Sequence, residues 1–153
     1  MQHLRDWRCA LALGLGSGLL RPAPGTWGTL AAVPVAWGLM HMPLVWALVL
    51  VGLAACLGVY LCDHTARVLG VHDHGAIVWD EFVGLWITVL FVPATLVNLL
   101  IGFLLFRLLD ITKPWPIRWF DQKVGGGLGI MIDDLLAGAV ASLVLLLVSS
   151  LVG

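Results

Sequence analysis

Five of the chain's nine acidic residues stand at the edges of apolar segments: Asp80-Glu81 in I-V-W-D-E-F-V-G, Asp110 in F-R-L-L-D-I-T-K-P-W-P, and Asp133-Asp134 in G-G-G-L-G-I-M-I-D-D-L-L-A-G. A carboxylate in or beside hydrocarbon costs about 2.5 to 3.5 kcal/mol on insertion scales, so a group of them needs a compensating partner. A divalent cation held by oxygen ligands is the natural one. Arg107 lies three residues before Asp110 on the same helical face, and Lys113 follows three residues after it. These cations fit either of two roles. They could bind a substrate phosphate beside a metal held by Asp110. They could equally snorkel to lipid phosphates as a juxtamembrane anchor, with Trp115 and Trp119 in the interfacial belt. Spacing alone does not choose between them.

Two further stretches carry anion-binding chemistry. In R-P-A-P-G-T-W-G-T the prolines deliver Thr26 to a helix start with Arg21 nearby, which suits a phosphate as well as it suits a simple Thr cap. Gly125-Gly126-Gly127-Leu128-Gly129 could offer backbone N–H groups to a phosphate, but it lacks the G-K-[ST] ending of a P-loop and reads equally as a flexible linker. The histidines carry less. His72-Asp73-His74 with Asp63-His64 lacks a zinc-binding helix pattern and reads as a solvated polar loop, with His3 and His41 at segment ends. Cys9, Cys56 and Cys62 form no C-x-x-C pair and read as packing thiols.

The elements that must position these groups are membrane helices. The chain is 61% hydrophobic and only 11% charged, far from the composition of a soluble domain of 153 residues. Its net charge of -1 supplies no basic surface for a nucleic acid, and its eight tryptophans fit a large interfacial surface. Residues 9 to 20 are apolar but short and lack an A-x-A cleavage site, so the N-terminus is expected to stay in place.

Apolar blocks run at about Thr26 to Met40, Leu44 to Cys62, Phe82 to Phe106 and Leu135 to Val152. The third, taken whole, would span about 37 Å at 1.5 Å per residue, more than a core of about 30 Å. Breaking it at Pro93 gives a hairpin of about Ala76 to Val92 and Ala94 to Ile111, which puts all three acidic stations on one side. Arg5, Arg8, Arg21, Arg67, Arg107, Lys113, Arg118 and Lys123 also fall on that side, so the positive-inside rule makes it cytoplasmic. The expected fold is all-α: a polytopic membrane bundle of about five helices, including the Pro93 hairpin, forming a single domain over residues 1–153 with a cytoplasmic-face site.

A finer pattern joins two of these helices. Asp80, Gly84 and Thr88 recur at intervals of four, and so do Asp134, Gly138 and Ser142. Small residues at this spacing let membrane helices approach closely, which would bring Asp80 and Asp134 together. Adjacent residues point about 100° apart, so Glu81 and Asp133 cannot share their neighbours' direction, and one of each pair is expected to be a helix cap or an outer ligand. Lys113 precedes Pro114, so its helix is expected to end near Thr112.

L-R-P-A-P-G-T-W-G-T-L at 20 to 30, I-V-W-D-E-F-V-G at 77 to 84, F-R-L-L-D-I-T-K-P-W-P-I at 106 to 117 and G-G-G-L-G-I-M-I-D-D-L-L-A-G at 125 to 138 together resemble the phosphatidylglycerophosphatase A family, in order along almost the whole chain. The resemblance implies a Mg²⁺-dependent phosphatase at the bacterial inner membrane, facing the cytoplasm and converting phosphatidylglycerophosphate to phosphatidylglycerol. It leaves the role of the Asp63 to His74 loop open.

That chemistry agrees with the residues. Carboxylate-held Mg²⁺ can neutralise phosphate oxygens and acidify a water. Glu81, Asp110, Asp133 and Asp134, with Asp80, are the candidates for metal binding or water activation. Arg107 and Lys113, with Arg21 and Thr26, are the candidates for phosphate. Glu81, Asp110, Asp134 and Lys113 make up the expected catalytic set. The chain lacks the cysteine-loop and D-x-D-x-[TV] signatures of covalent phosphatases, leaving Asp110 as a minor candidate nucleophile. The rival readings are a small cation or proton transporter built on clustered carboxylates, and a lipid-binding subunit. Membrane lipids are the expected partners, with no nucleic acid and no obligate protein.

Overall fold

A computed structural model describes residues 5–72 and 74–152. Gln2, His3 and Asp73 lie outside them. Every regular element among the described residues is helical: α1 (Trp7–Ala12), a 3-10 segment (Gly14–Leu19), α2 (Pro24–Met40), α3 (Leu44–Leu69), α4 (Trp79–Val89), α5 (Leu96–Thr112), α6 (Ile117–Lys123) and α7 (Gly126–Val152). The five long helices expected from the sequence are α2 to α5 and α7. The three shorter elements add to them.

The bundle is apolar outside and holds a set of polar groups within a mainly apolar interior. On α5 the outward row Leu96, Leu100, Leu104 and Leu108 repeats every four residues, each more than half exposed. Thr29, Thr65, Thr88, Asn98 and Ser142 are buried together with three aspartates. Such an exterior is stable against lipid and not against water. Helices α3 and α7 are each long and apolar enough to cross a membrane. The chain is an all-α membrane bundle.

Helix α4 packs against α2, α3, α5 and α7. Its tryptophans fix two of these neighbours. The Trp79 indole N–H donates to Ala54 O at 3.0 Å on α3, and that of Trp86 donates to Ala32 O at 3.1 Å on α2. These two rings serve the interior, in contrast to exposed Trp46, Trp115 and Trp119.

The Pro93 hairpin forms with a shorter first arm than expected. Residues 76–78 are held outside the helix, where Val78 N–H donates to Ala12 O at 2.9 Å on α1. At the turn, Thr95 caps α5 by accepting from Asn98 N–H, and the Asn98 side chain donates to Pro93 O at 2.9 Å. The eleven residues of α4 span about 16 Å. Asp134 stands eight residues into α7, about 12 Å from that helix's start. Asp80, Asp133 and Asp134 are buried within the bundle, near the ends of α4 and α7 that lie away from the Pro93 turn.

Two helix boundaries depart from the composition-based expectation for a shared reason. Helix α3 runs past Cys62 to Leu69 and stops at Gly70, whose φ of 70° suits a left-handed cap. Asp63, His64 and Arg67 are therefore helical, with Asp63 and Arg67 paired at 2.6 Å. Helix α7 begins nine residues before Leu135, so the glycine run from Gly126 is its first turn and no flexible linker. A Cβ on Gly127 would lie 1.9 Å from Val59 O, so glycine is what permits α7 to start against α3. Its first N–H groups are already satisfied: Gly126 donates to His72 Nε2 at 2.7 Å and Gly127 to Asp63 Oδ1 at 3.3 Å. This argues against the phosphate-cradle reading and corrects the loop reading for Asp63 and His64, which are helical, while exposed His72 stays outside the helices.

Asp6 caps α1 and binds Arg8, which holds its carboxyl well below the usual carboxylate range, and it meets His64 Nε2 at 3.0 Å on α3. Cys9 and Cys62 are buried free thiols, while Cys56 is exposed.

Cysteines placed singly at Gly70 and Gln122 should resist a membrane-impermeant thiol reagent in intact cells, and one at Met42 should react. Labelling at Gly70 with protection at Met42 would invert the orientation.

Candidate active site

Helices α4, α5 and α7 each bring one acidic station to a common centre. The two matched stripes set its geometry. A Cβ on Gly138 would fall 2.5 Å from Gly84 O, and one on Gly84 would meet the Phe106 ring at 2.4 Å and Asp134 O at 3.0 Å. The backbones of α4 and α7 are thus in direct contact, as the intervals of four imply. Thr88 Oγ1 donates to Gly84 O at 2.8 Å and to Gly138 O at 3.4 Å, stitching the crossing. Close approach places Asp80, Glu81, Asp110 and Asp133 near enough to act electrostatically on Asp134.

Arg107 is buried between two of these acids. One of its Nη atoms donates to Glu81 Oε1 at 3.0 Å and to Asp110. With a side chain only 13% exposed, Arg107 is not a snorkelling anchor. Lys113 Nζ pairs with Asp133 Oδ2 at 2.5 Å. Helix α5 ends at Thr112 as expected, and Lys113 follows with φ 41° and ψ 62°, a left-handed conformation uncommon for a side-chain-bearing residue. That turn carries its amine back toward α7.

Charge and satisfaction bear on whether a cation fits. Five carboxylates face two cations, an excess of three formal negative charges around a centre where Asp80, Asp133 and Asp134 are all buried. Buried like charges of this kind require a counter-ion or protons. Asp134 Oδ2 and Arg107 Nε are buried without a hydrogen-bond partner among the described residues, one acceptor and one donor. The donor set is all oxygen, which suits a hard cation such as Mg²⁺. Glu81, Asp110 and Asp133 sit on salt bridges, so metal binding would exchange those bridges for metal–oxygen bonds.

The 20 to 30 segment closes one side. A Cβ on Gly25 would lie 2.1 Å from Glu81 Oε1 and 2.9 Å from an Arg107 Nη, and one on Gly28 would lie 2.8 Å from Glu81 Oε2. These glycines let α2 lie against the acids. Helix α2 starts at Pro24 with Ala23 as its cap, so Thr26 is in the first turn and is not the capping residue. Arg21 stands apart, exposed at the rim of a separate cavity.

A second donor group lies away from this centre: Asp6, Cys9 and His64 bring ligand atoms within 4.8 Å of one another. Nothing in the sequence pattern flagged it, because the three residues come from α1 and α3.

Fold and site define an integral membrane protein with a buried carboxylate centre, flanked by cations and suited to phosphate-ester chemistry. The family model described as Phosphatidylglycerophosphatase A matches residues 10–149. Phosphatidylglycerophosphatase A of Escherichia coli (strain K12) is 53% identical over 135 residues, covering 86% of this chain and 77% of the relative. Phosphatidylglycerophosphatase A of Haemophilus influenzae is 49% identical over 138 residues, covering 88% and 83%. No solved structure matches the chain. The chain belongs to the phosphatidylglycerophosphatase A family, and is a lipid phosphatase.

Proposed function

We propose that the chain hydrolyses the terminal phosphomonoester of phosphatidylglycerophosphate, giving phosphatidylglycerol and inorganic phosphate, at the cytoplasmic face of the bacterial inner membrane. The observation that carries this reading is the excess of acid over base at the buried centre, beside an unsatisfied Arg107 Nε. A transporter also needs acids, but it has less use for two cations held against them.

Asp80, Glu81, Asp110, Asp133 and Asp134 would hold Mg²⁺, which when bound supplies charge neutralisation for phosphate oxygens and a more acidic water. In the reaction a water oxygen bonds to phosphorus, the bond from phosphorus to the terminal glycerol oxygen breaks, and that oxygen takes up a proton. Arg107 positions Glu81 and Asp110 through its Nη atom and keeps a buried, unused Nε donor that phosphate binding would engage. Lys113 holds Asp133 and is close enough to the centre to exchange that contact for a phosphate oxygen. The low-dielectric surroundings strengthen each of these contacts.

Purified chain alone, given phosphatidylglycerophosphate in detergent micelles, should release phosphate and leave phosphatidylglycerol. Proton or cation flux in liposomes without phosphate release would support the transporter instead. Lys113→Ala should raise KM and lower kcat while the Mg²⁺ concentration for half-activity changes little. A large shift in that Mg²⁺ requirement would make Lys113 part of the metal site.

A further inference from the structure

Beside the carboxylate centre lies a cavity of about 530 Å³, lined by Gly18, Leu19, Arg21, Pro24, His74 and Ala76 among others. Two of its walls continue directly into the centre. Pro24 precedes Gly25, which abuts Glu81 and Arg107, and Ala76 lies four residues before Asp80. A Cβ on Gly18 would fall 2.1 Å from Ala76 O, so the 3-10 segment is drawn tightly onto the turn at Ala76 that lines the cavity.

The electrostatics of this cavity oppose those of its neighbour. Among its described lining residues there is no carboxylate, while Arg21 and His74 both face it. Arg21 makes no hydrogen bond or ion pair with the described residues. His74 Nδ1 accepts from Ala76 N–H at 3.2 Å, which fixes the tautomer and leaves Nε2–H as a donor. Leu19, Pro22 and Pro24 supply an apolar rim. One guanidinium fork, one N–H donor and an apolar rim match a phosphodiester monoanion on a lipid.

We propose that this cavity receives the phosphodiester of the lipid substrate while the neighbouring carboxylate centre takes the terminal monoester. The proposal rests on the phosphatase reading and extends it to the basis of substrate choice. Two phosphates joined by a three-carbon glycerol would then be read by two sites of opposite charge, the outer one by Arg21 and His74. A lipid or metabolite with only a monoester would forgo the second.

The test is competition against phosphatidylglycerophosphate turnover in phospholipid-free detergent. The competitors are the deacylated two-phosphate headgroup, glycerophosphoglycerophosphate, and the one-phosphate compound glycerol 3-phosphate. Wild type should bind the first more tightly. Arg21→Ala should reduce that preference by about 10- to 100-fold, the worth of a charge-assisted hydrogen bond. Arg21→Lys should fall between, because it keeps the charge and loses the fork. Arg118→Ala, an exposed cation on α6 outside the cavity, should keep the wild-type preference. Equal preference in wild type and Arg21→Ala would overturn the proposal. So would an Arg21→Ala defect confined to phospholipid vesicles, which would assign the cavity to a neighbouring lipid. Failure of wild type to hydrolyse phosphatidylglycerophosphate at all would instead remove the functional reading beneath it.

Discussion

Asp134→Asn and Glu81→Gln should each lower phosphate release from phosphatidylglycerophosphate by at least about a hundredfold, since loss of even an outer-shell metal partner costs about 10- to 100-fold. Both substitutions keep size and remove charge. Asp134 is the sharper case, because its Oδ2 is buried with no hydrogen-bond partner among the described residues. Neutralising it relieves like-charge repulsion from four acids, so the purified Asn variant should melt in chelator no lower than wild type. Activity and stability would then move independently, the signature of a group kept for chemistry. High Mg²⁺ should restore part of the loss at a ligand position. Wild-type turnover by both variants would return these acids to a structural role.

Gly138→Leu should abolish most Mg²⁺-dependent turnover while leaving every carboxylate in the sequence. Even a Cβ at this position would lie 2.5 Å from Gly84 O, closer than real Cβ atoms approach, so α4 and α7 must separate. Overpacking of this kind costs about 1 to 3 kcal/mol or more, and it parts Asp80 from Asp134. Gly52→Leu is the matched control, because nothing lies within 4 Å of a Cβ there and the site faces outward. Thermal melting and the Mg²⁺ dependence of turnover, measured on both variants, check this. Normal Mg²⁺ dependence in Gly138→Leu would contradict the shared-face arrangement.

Much of this arrangement is legible in the sequence because membrane folding separates its signals cleanly. The intervals of four in Asp80-Gly84-Thr88 and Asp134-Gly138-Ser142 encode a contact directly, since helical period and small size together specify which faces meet. Pro93 and Pro114 mark breaks because each restricts backbone geometry locally. Boundaries set by hydropathy fare worse. The apolar run ends at Cys62, but the backbone of α3 stays helical to Gly70, where a left-handed cap provides the physical stop. The first turn of α7 is hidden in a glycine run because its stability comes from α3 and from His72 and Asp63, partners 54 and 64 residues away.

The candidate site divides the same way. Its acids are visible as costly residues in apolar surroundings, whereas the burial of Arg107 between Glu81 and Asp110 is a tertiary fact that spacing leaves open. The pairing of Lys113 with Asp133 depends on a left-handed backbone turn at Lys113. The cavity at Arg21 and His74 joins segments more than fifty residues apart, and only the packing of Gly18 on Ala76 reveals it.

The account turns on whether this carboxylate centre must hold a divalent cation for hydrolysis. Phosphate release from phosphatidylglycerophosphate by the purified wild-type chain, followed after chelator treatment and then across a Mg²⁺ titration, measures this directly. The account predicts no turnover in chelator and saturable recovery as Mg²⁺ is returned. Full turnover in chelator, with no response to added Mg²⁺, would contradict it.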